Sequence, residues 1–165
     1  MSEGTNTSTS VLQPGSPAPR FKLPSSTGEQ IDLADYRGKR VVLYFYPKAD
    51  TPGCTTEACG FRDAIAGYKK LDVPVFGISP DSIADVKAFA EKFDLNFPLL
   101  ADADHAVTET FGVWQEKSMY GKKYMGAART TFVIDADGKI EHVFERVKPQ
   151  GHDREVLEYL QSRKT

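Results

Sequence analysis

Cys54 and Cys59 are the only cysteines in the chain, and they stand five positions apart. A close pair of thiols serves redox chemistry or metal binding more often than structure. A separation of five is not the Cys-x-x-Cys of a thioredoxin-type disulfide exchanger. A structural zinc site would need two further ligands, and His105, His142 and His152 show none of the paired spacing of zinc-binding histidines. Redox chemistry is therefore the better use of the pair. The acidic strings Asp102-Ala103-Asp104 and Asp135-Ala136-Asp137-Gly138 hint at calcium, but neither is followed by the bidentate glutamate of an EF-hand loop, and both read as turns.

The segment from Pro47 to Cys54 follows a strongly apolar run and precedes a stretch of helical composition. That places it at the carboxyl edge of a sheet, where open α/β proteins put their ligands. Thr51 is a good helix N-cap, Pro52 suits the first helical position, and Cys54 then falls in the first turn. A sulfur there faces unpaired backbone N–H groups and the positive end of the helix dipole, and a helix N-terminus favours the thiolate, the nucleophilic form. The competing reading is a small apolar residue that packs the helix against the sheet, since free cysteine is among the most buried residue types. Local pattern leaves both open, with Thr51-Pro52-Gly53 at an exposed edge favouring the nucleophile.

Stepping outward, residues 40–46 are β-branched and aromatic without alternation, as expected of a strand covered on both faces. A second such run at 73–78 follows about 30 residues on, with helical composition between, which makes a βαβ unit. Ile83, Val86, Phe89, Ala90 and Phe93 form one apolar helical face. Short strands are expected at 21–23, 31–33 and 97–101, a hairpin at 131–144 turning on Asp137-Gly138, and a closing helix at 153–163. This order predicts a central mixed β-sheet flanked by helices on both faces, an α/β fold.

The 165 residues have the length of one domain, and a single site is expected in it. Residues 1–11 hold Gly, Asn, Ser and Thr with almost nothing apolar and read as a flexible tail, leaving 12–165 as the domain. The formal net charge of -2 gives no reason to expect nucleic acid or an anionic membrane as partner. No run approaches the roughly 18 apolar residues of a membrane span, and the N-terminus lacks the pattern of a secretory signal, so cytoplasmic residence is the expectation.

Pro47, Thr51 and Cys54 fit the Pro-x-x-x-Thr-x-x-Cys motif of peroxiredoxins, and residues 44–63 (YFYPKADTPGCTTEACGFRD) resemble the PrxQ type, also called bacterioferritin comigratory protein. The likeness continues through Gly77-Ile78-Ser79, residues 97–102, Phe111 to Trp114, Glu116-Lys117, Tyr120 to Lys122 and residues 132–140, so it covers nearly everything after the tail. The resemblance implies a thioredoxin-like fold, with Cys54 as the peroxidatic and Cys59 as the resolving cysteine. It implies that Thr51 orients the peroxide, that Pro47 shields the thiolate, and that Arg129 is the active-site arginine. Pro47, Gly53 and Glu57 are grouped on the substrate side. Glu57 either holds the arginine or serves the helix dipole.

The activity so implied is reduction of hydrogen peroxide and organic hydroperoxides through a Cys54–Cys59 disulfide that thioredoxin or a similar dithiol reopens. No prosthetic group or metal is expected, because sulfur performs both half-reactions. With both cysteines in one chain, a monomer suffices. A disulfide exchanger and a redox sensor are the rivals, and sustained peroxide turnover separates the enzyme from a sensor that is oxidised once.

Overall fold

The computed structural model describes residues 10–163. In chain order the elements are β1 (Lys22–Pro24), β2 (Gln30–Asp32), a 3-10 turn (Leu33–Tyr36), β3 (Val41–Phe45), α1 (Pro52–Lys70), β4 (Val75–Ser79), α2 (Ile83–Lys92), β5 (Leu99–Ala101), α3 (Ala106–Thr110), β6 (Trp114–Met119), β7 (Lys122–Ala127), β8 (Thr130–Ile134), β9 (Ile140–Glu145) and α4 (His152–Ser162). Of the expected tail, residues 1–9 lie outside the described residues; Val11, its last member, packs against the core.

The apolar run at 40–46 becomes β3, buried at all of its positions and central in a five-stranded sheet of order β5-β4-β3-β8-β9. β3 pairs parallel with β4, and β4 with β5, while β8 is antiparallel to both β3 and β9, so the sheet is mixed. Two successive right-handed crossovers stepping the same way across a sheet deliver their helices to one face. Accordingly α1 and α2 share a face, and α4 joins them: Phe61, Tyr68, Val86, Phe89, Val156 and Leu160 form one cluster with Tyr44, Tyr46 and Val75. Gly60 admits α4 closely, since a Cβ there would stand 2.5 Å from Asp153 Oδ1. The opposite face carries the short α3 together with the β1–β2 hairpin and the 3-10 turn, through Phe21, Leu23, Ile31, Leu33, Val107 and Phe111.

The expected strands and three long helices lie where periodicity put them, within two residues at each end. Besides the 3-10 turn, a short helix and a two-stranded ribbon went unforeseen. The short helix α3 starts from His105 in the left-handed region, with φ 51°, and is tied to the buried Asp102 carboxylate, which accepts from Thr108 N at 2.7 Å and Thr108 Oγ1 at 2.6 Å. Asp102 thus anchors a helix start besides turning the chain. The β6–β7 ribbon reverses at Tyr120-Gly121, both at positive φ, 53° and 79°. Its sequence is too polar to read as two strands, and it pairs only with itself.

Candidate active site

The register of the sheet assembles the site. Phe45, the last residue of β3, pairs with Thr130, the first of β8. The chain therefore leaves β3 toward α1 and arrives at β8 through Arg129 along the same sheet edge. Arg129 and Cys54, 75 positions apart in sequence, meet there: Arg129 Nη2 donates to Cys54 Sγ at 3.2 Å. Nη1 of the same guanidinium donates to Glu57 Oε1 at 2.8 Å. Cys54 and Glu57 lie three apart on one face of α1, so a planar fork reaches both.

Cys54 and Glu57 are each 1% exposed. Burial pushes the Glu57 carboxyl up to about 7, against the opposing pull of Arg129. The Arg129 side chain is 18% exposed, so the fully buried Glu57 carboxyl depends on this half-buried guanidinium as its partner. Glu57 lies beyond the first turn of α1, so its contact is with Arg129 and not with the helix end. Burial of Cys54 alone would suit an apolar filler. A guanidinium N–H aimed at the sulfur does not, because a thiolate is what such a donor stabilises.

Thr51 occupies the N-cap with extended backbone, φ −97° and ψ 158°, and Pro52 follows in the first turn. The expected capping bond is absent: the Thr51 hydroxyl instead donates to Lys48 O at 3.0 Å. Its rotation fixes the hydroxyl proton toward the loop and leaves the oxygen lone pairs as acceptors. It also leaves the first-turn N–H groups without a side-chain cap, free to face an anion.

Gly53 lies against the guanidinium. A Cβ there would fall 2.7 Å from Arg129 Nη2 and 3.4 Å from Pro149 Cγ. The helical backbone at Gly53 tolerates alanine, so Gly53→Ala should fold normally while displacing the tip of Arg129 from the sulfur. We expect about tenfold slower oxidation of Cys54 by peroxide, one lost charge-assisted hydrogen bond being worth roughly that much. Stopped-flow fluorescence of the variant measures it, and a rate equal to wild type would mean that Arg129 has room to spare.

Pro47 is half-buried in the β3–α1 loop, and Cys59 is half-buried further along α1. Both cysteines are free thiols, so the structure does not bring Cys59 to Cys54. Sequence reasoning missed a group of buried polar atoms behind the sulfur. The hydroxyls of Tyr44, Tyr46 and Ser79 and the second carboxylate oxygen of Glu57 have no hydrogen-bond partner among the described residues. Burial pushes both phenols well up, so they remain neutral donors. The spacing of Tyr44 in β3 and Tyr46 just past its end was the available signal, since residues two apart in extended chain share a face. On β6, burial and the neighbouring Arg129 push the Lys117 ammonium down, and Cys54 opposes them. The histidines have other positions. His105 stacks on Trp114 with ring centroids 4.0 Å apart, His142 stacks on Tyr159 at 4.4 Å, and His152 meets Thr131 Oγ1 at 2.7 Å.

Fold and site together define a thiol-based oxidoreductase on a thioredoxin-like frame, its buried sulfur held at a helix start beneath an arginine. Residues 14–143 match the model of the AhpC/TSA family, and the chain belongs to that family, the peroxiredoxins. It is 55% identical over 149 residues to Peroxiredoxin Bcp of Escherichia coli (strain K12), covering 90% of this chain and 96% of that one. Among solved structures it is similar to Xanthomonas campestris Peroxiredoxin Q, with TM-score 0.84, 34% identity and coverage of 96% of this chain and 100% of that one. It is likewise similar to Xylella fastidiosa PrxQ, with TM-score 0.87, 32% identity and coverage of 93% and 97%. The chain is a thiol-dependent peroxidase with a peroxidatic cysteine. No helix of the described residues is long and apolar enough to cross a membrane.

Proposed function

We propose that Cys54 takes the oxygen from a hydroperoxide, that Cys59 closes a disulfide with it, and that a thioredoxin-type dithiol protein restores both thiols. The observation that carries this reading is the 3.2 Å contact from Arg129 Nη2 to Cys54 Sγ at the start of α1. The thiolate attacks the terminal peroxide oxygen; the S–O bond forms as the O–O bond breaks, and the departing alkoxide or hydroxide takes a proton to leave as alcohol or water. Arg129 and the uncapped first-turn N–H groups are donors for the charge that develops on the oxygens. The Thr51 oxygen, its own proton committed to Lys48 O, accepts from the peroxide O–H and so orients it. Pro47 and Gly53 shape the space beside the sulfur, and Glu57 holds Arg129 in place.

The sulfenic acid on Cys54 is then attacked by the Cys59 thiolate, which forms the disulfide and releases water. Both cysteines lie on one helix of one chain, so a monomer completes the cycle. A reducing compartment such as the cytoplasm would keep both thiols available for the cycle. Sustained peroxide-dependent NADPH consumption with thioredoxin and its reductase tests the whole cycle. Oxidation that stops after one equivalent of peroxide, with no further NADPH used, would overturn the assignment of the reductant.

Arg129→Met removes the donor at nearly constant length. It should slow the first oxidation about a hundredfold, as loss of a donor aimed at developing charge does elsewhere. Unchanged oxidation would make Arg129 an ordinary edge charge.

A further inference from the structure

We propose that the β6–β7 ribbon, with the neighbouring segment 146–150, is the surface on which the reducing dithiol protein docks, and that this partner presents an acidic face around an apolar centre. The inference rests on the dithiol-protein reading above and adds where that protein binds and what its surface must be. The large hydrophobic side chains that stand exposed among the described residues are Tyr120, Tyr124 and Met125, at 98%, 44% and 48%, and all three are on this ribbon. A two-stranded ribbon that pairs only with itself gains little from the rest of the fold, and an apolar group held out on it signals a contact made with another molecule.

The ribbon lies beside the sulfur. β7 ends at Ala127, two residues before Arg129, and Ala128 N donates to Val113 O at 2.8 Å just ahead of β6. Segment 146–150 flanks the same spot: Val147 N donates to Arg129 O at 3.2 Å, and Pro149 abuts Gly53. The ribbon's charge is one-sided. The chain as a whole carries a formal charge of -2, yet the ribbon's own charged residues are Lys117, Lys122 and Lys123 against the single acid Glu116. Segment 146–150 adds the exposed Arg146 and Lys148, with Glu145, Glu155 and Glu158 as the acids beside it. A basic rim around an apolar patch complements an acidic partner, and such charges act chiefly on association rate and its salt dependence. A protein thiolate must reach the disulfide formed on α1 next to this patch, which favours a dithiol protein over a membrane as the occupant. Redox encounters of this kind are small and weak, which a single ribbon and a short segment can supply.

The test uses Lys122→Glu/Lys123→Glu and Tyr124→Ser/Met125→Ser variants of the full chain, with thioredoxin as protein reductant and dithiothreitol as small reductant. The charge reversal should raise the KM for thioredoxin about tenfold at low salt and flatten its salt dependence, as screening of surface charges dictates. The apolar change should raise the same KM by about tenfold at every salt concentration, as loss of one or two buried anchors does. In both variants the rate of Cys54 oxidation by peroxide and the dithiothreitol-driven turnover should match wild type, which also shows that they fold. An unchanged KM for thioredoxin, with wild type turned over normally, would overturn the docking surface alone. So would a ribbon that binds anionic phosphatidylserine vesicles while reductant kinetics stay the same. A wild-type chain that dithiothreitol reduces and thioredoxin does not would overturn the protein-reductant reading and this surface with it.

Discussion

Cys54→Ser should abolish peroxide reduction even in a single turnover, a larger effect than any other single substitution at this edge. Serine preserves size and backbone, so the pocket beneath Arg129 remains, but a hydroxyl at neutral pH supplies no nucleophile comparable with a thiolate. Cys59→Ser should behave differently, because Cys59 takes no part in the first oxidation and lies outside the Arg129 contact. Its first turnover should run at the wild-type rate and end in a sulfenic acid that over-oxidises, or that needs a small thiol for rescue. Mass spectrometry after one equivalent of peroxide distinguishes the two: no added oxygen for Cys54→Ser, one added oxygen for Cys59→Ser. A Cys54→Ser protein that still consumes peroxide in one turnover would sink the assignment, and full thioredoxin-linked cycling by Cys59→Ser would place resolution elsewhere.

The difference in what could be read beforehand follows from how each residue reaches the site. Thr51, Pro52 and Cys54 act through local geometry, the start of one helix after one buried strand, and that pattern is written in consecutive residues. Arg129 was reached only by resemblance. Its proximity to Cys54 comes from the antiparallel register of β8 on β3, a pairing across most of the domain that no local pattern encodes. Glu57 shows the same limit: an acidic residue early in a helix reads equally well as dipole partner or arginine holder, and only the position of Arg129 decides. Thr51 was read correctly as to position and incorrectly as to bond, because a hydroxyl that caps and one that turns back to the loop have the same sequence.

The elements followed similar logic. Long apolar runs located β3 and β4, three-four spacing located α2, and helical composition between the two strands located α1. The ribbon β6–β7 escaped because its residues pair with each other and not with the core, so no hydrophobic period marks it. The short helix α3 escaped because it is held by one buried carboxylate, Asp102, and spans too few residues to show a period.

Oxidation should open the first half of α1 and leave its second half intact. Five residues of α-helix advance about 7.5 Å and turn about 140°, which sets the Cα atoms of Cys54 and Cys59 roughly 8 to 9 Å apart, with the thiols on different faces. A disulfide needs less than about 7 Å, so rotamer changes cannot close it and the backbone between must unwind. The fold limits how far. Phe61 is fully buried and stacks on Tyr44 with ring centroids 4.7 Å apart, and Arg62 Nη1 donates to Phe93 O at 2.7 Å, so the helix is pinned from residue 61 onward. Ahead of those pins, Gly60 has low helix propensity, and the first turn lacks a side-chain cap. Amide exchange from Thr55 to Gly60 should therefore accelerate by roughly a thousandfold in the oxidised protein, the loss of about 4 kcal/mol of local protection, while amides at 66–70 keep theirs. Hydrogen exchange with mass spectrometry, run on reduced and peroxide-treated protein, reads both segments at once. Equal protection at 55–60 in the two states would contradict a disulfide within this helix, and faster exchange extending through 66–70 would show that Phe61 and Arg62 do not hold.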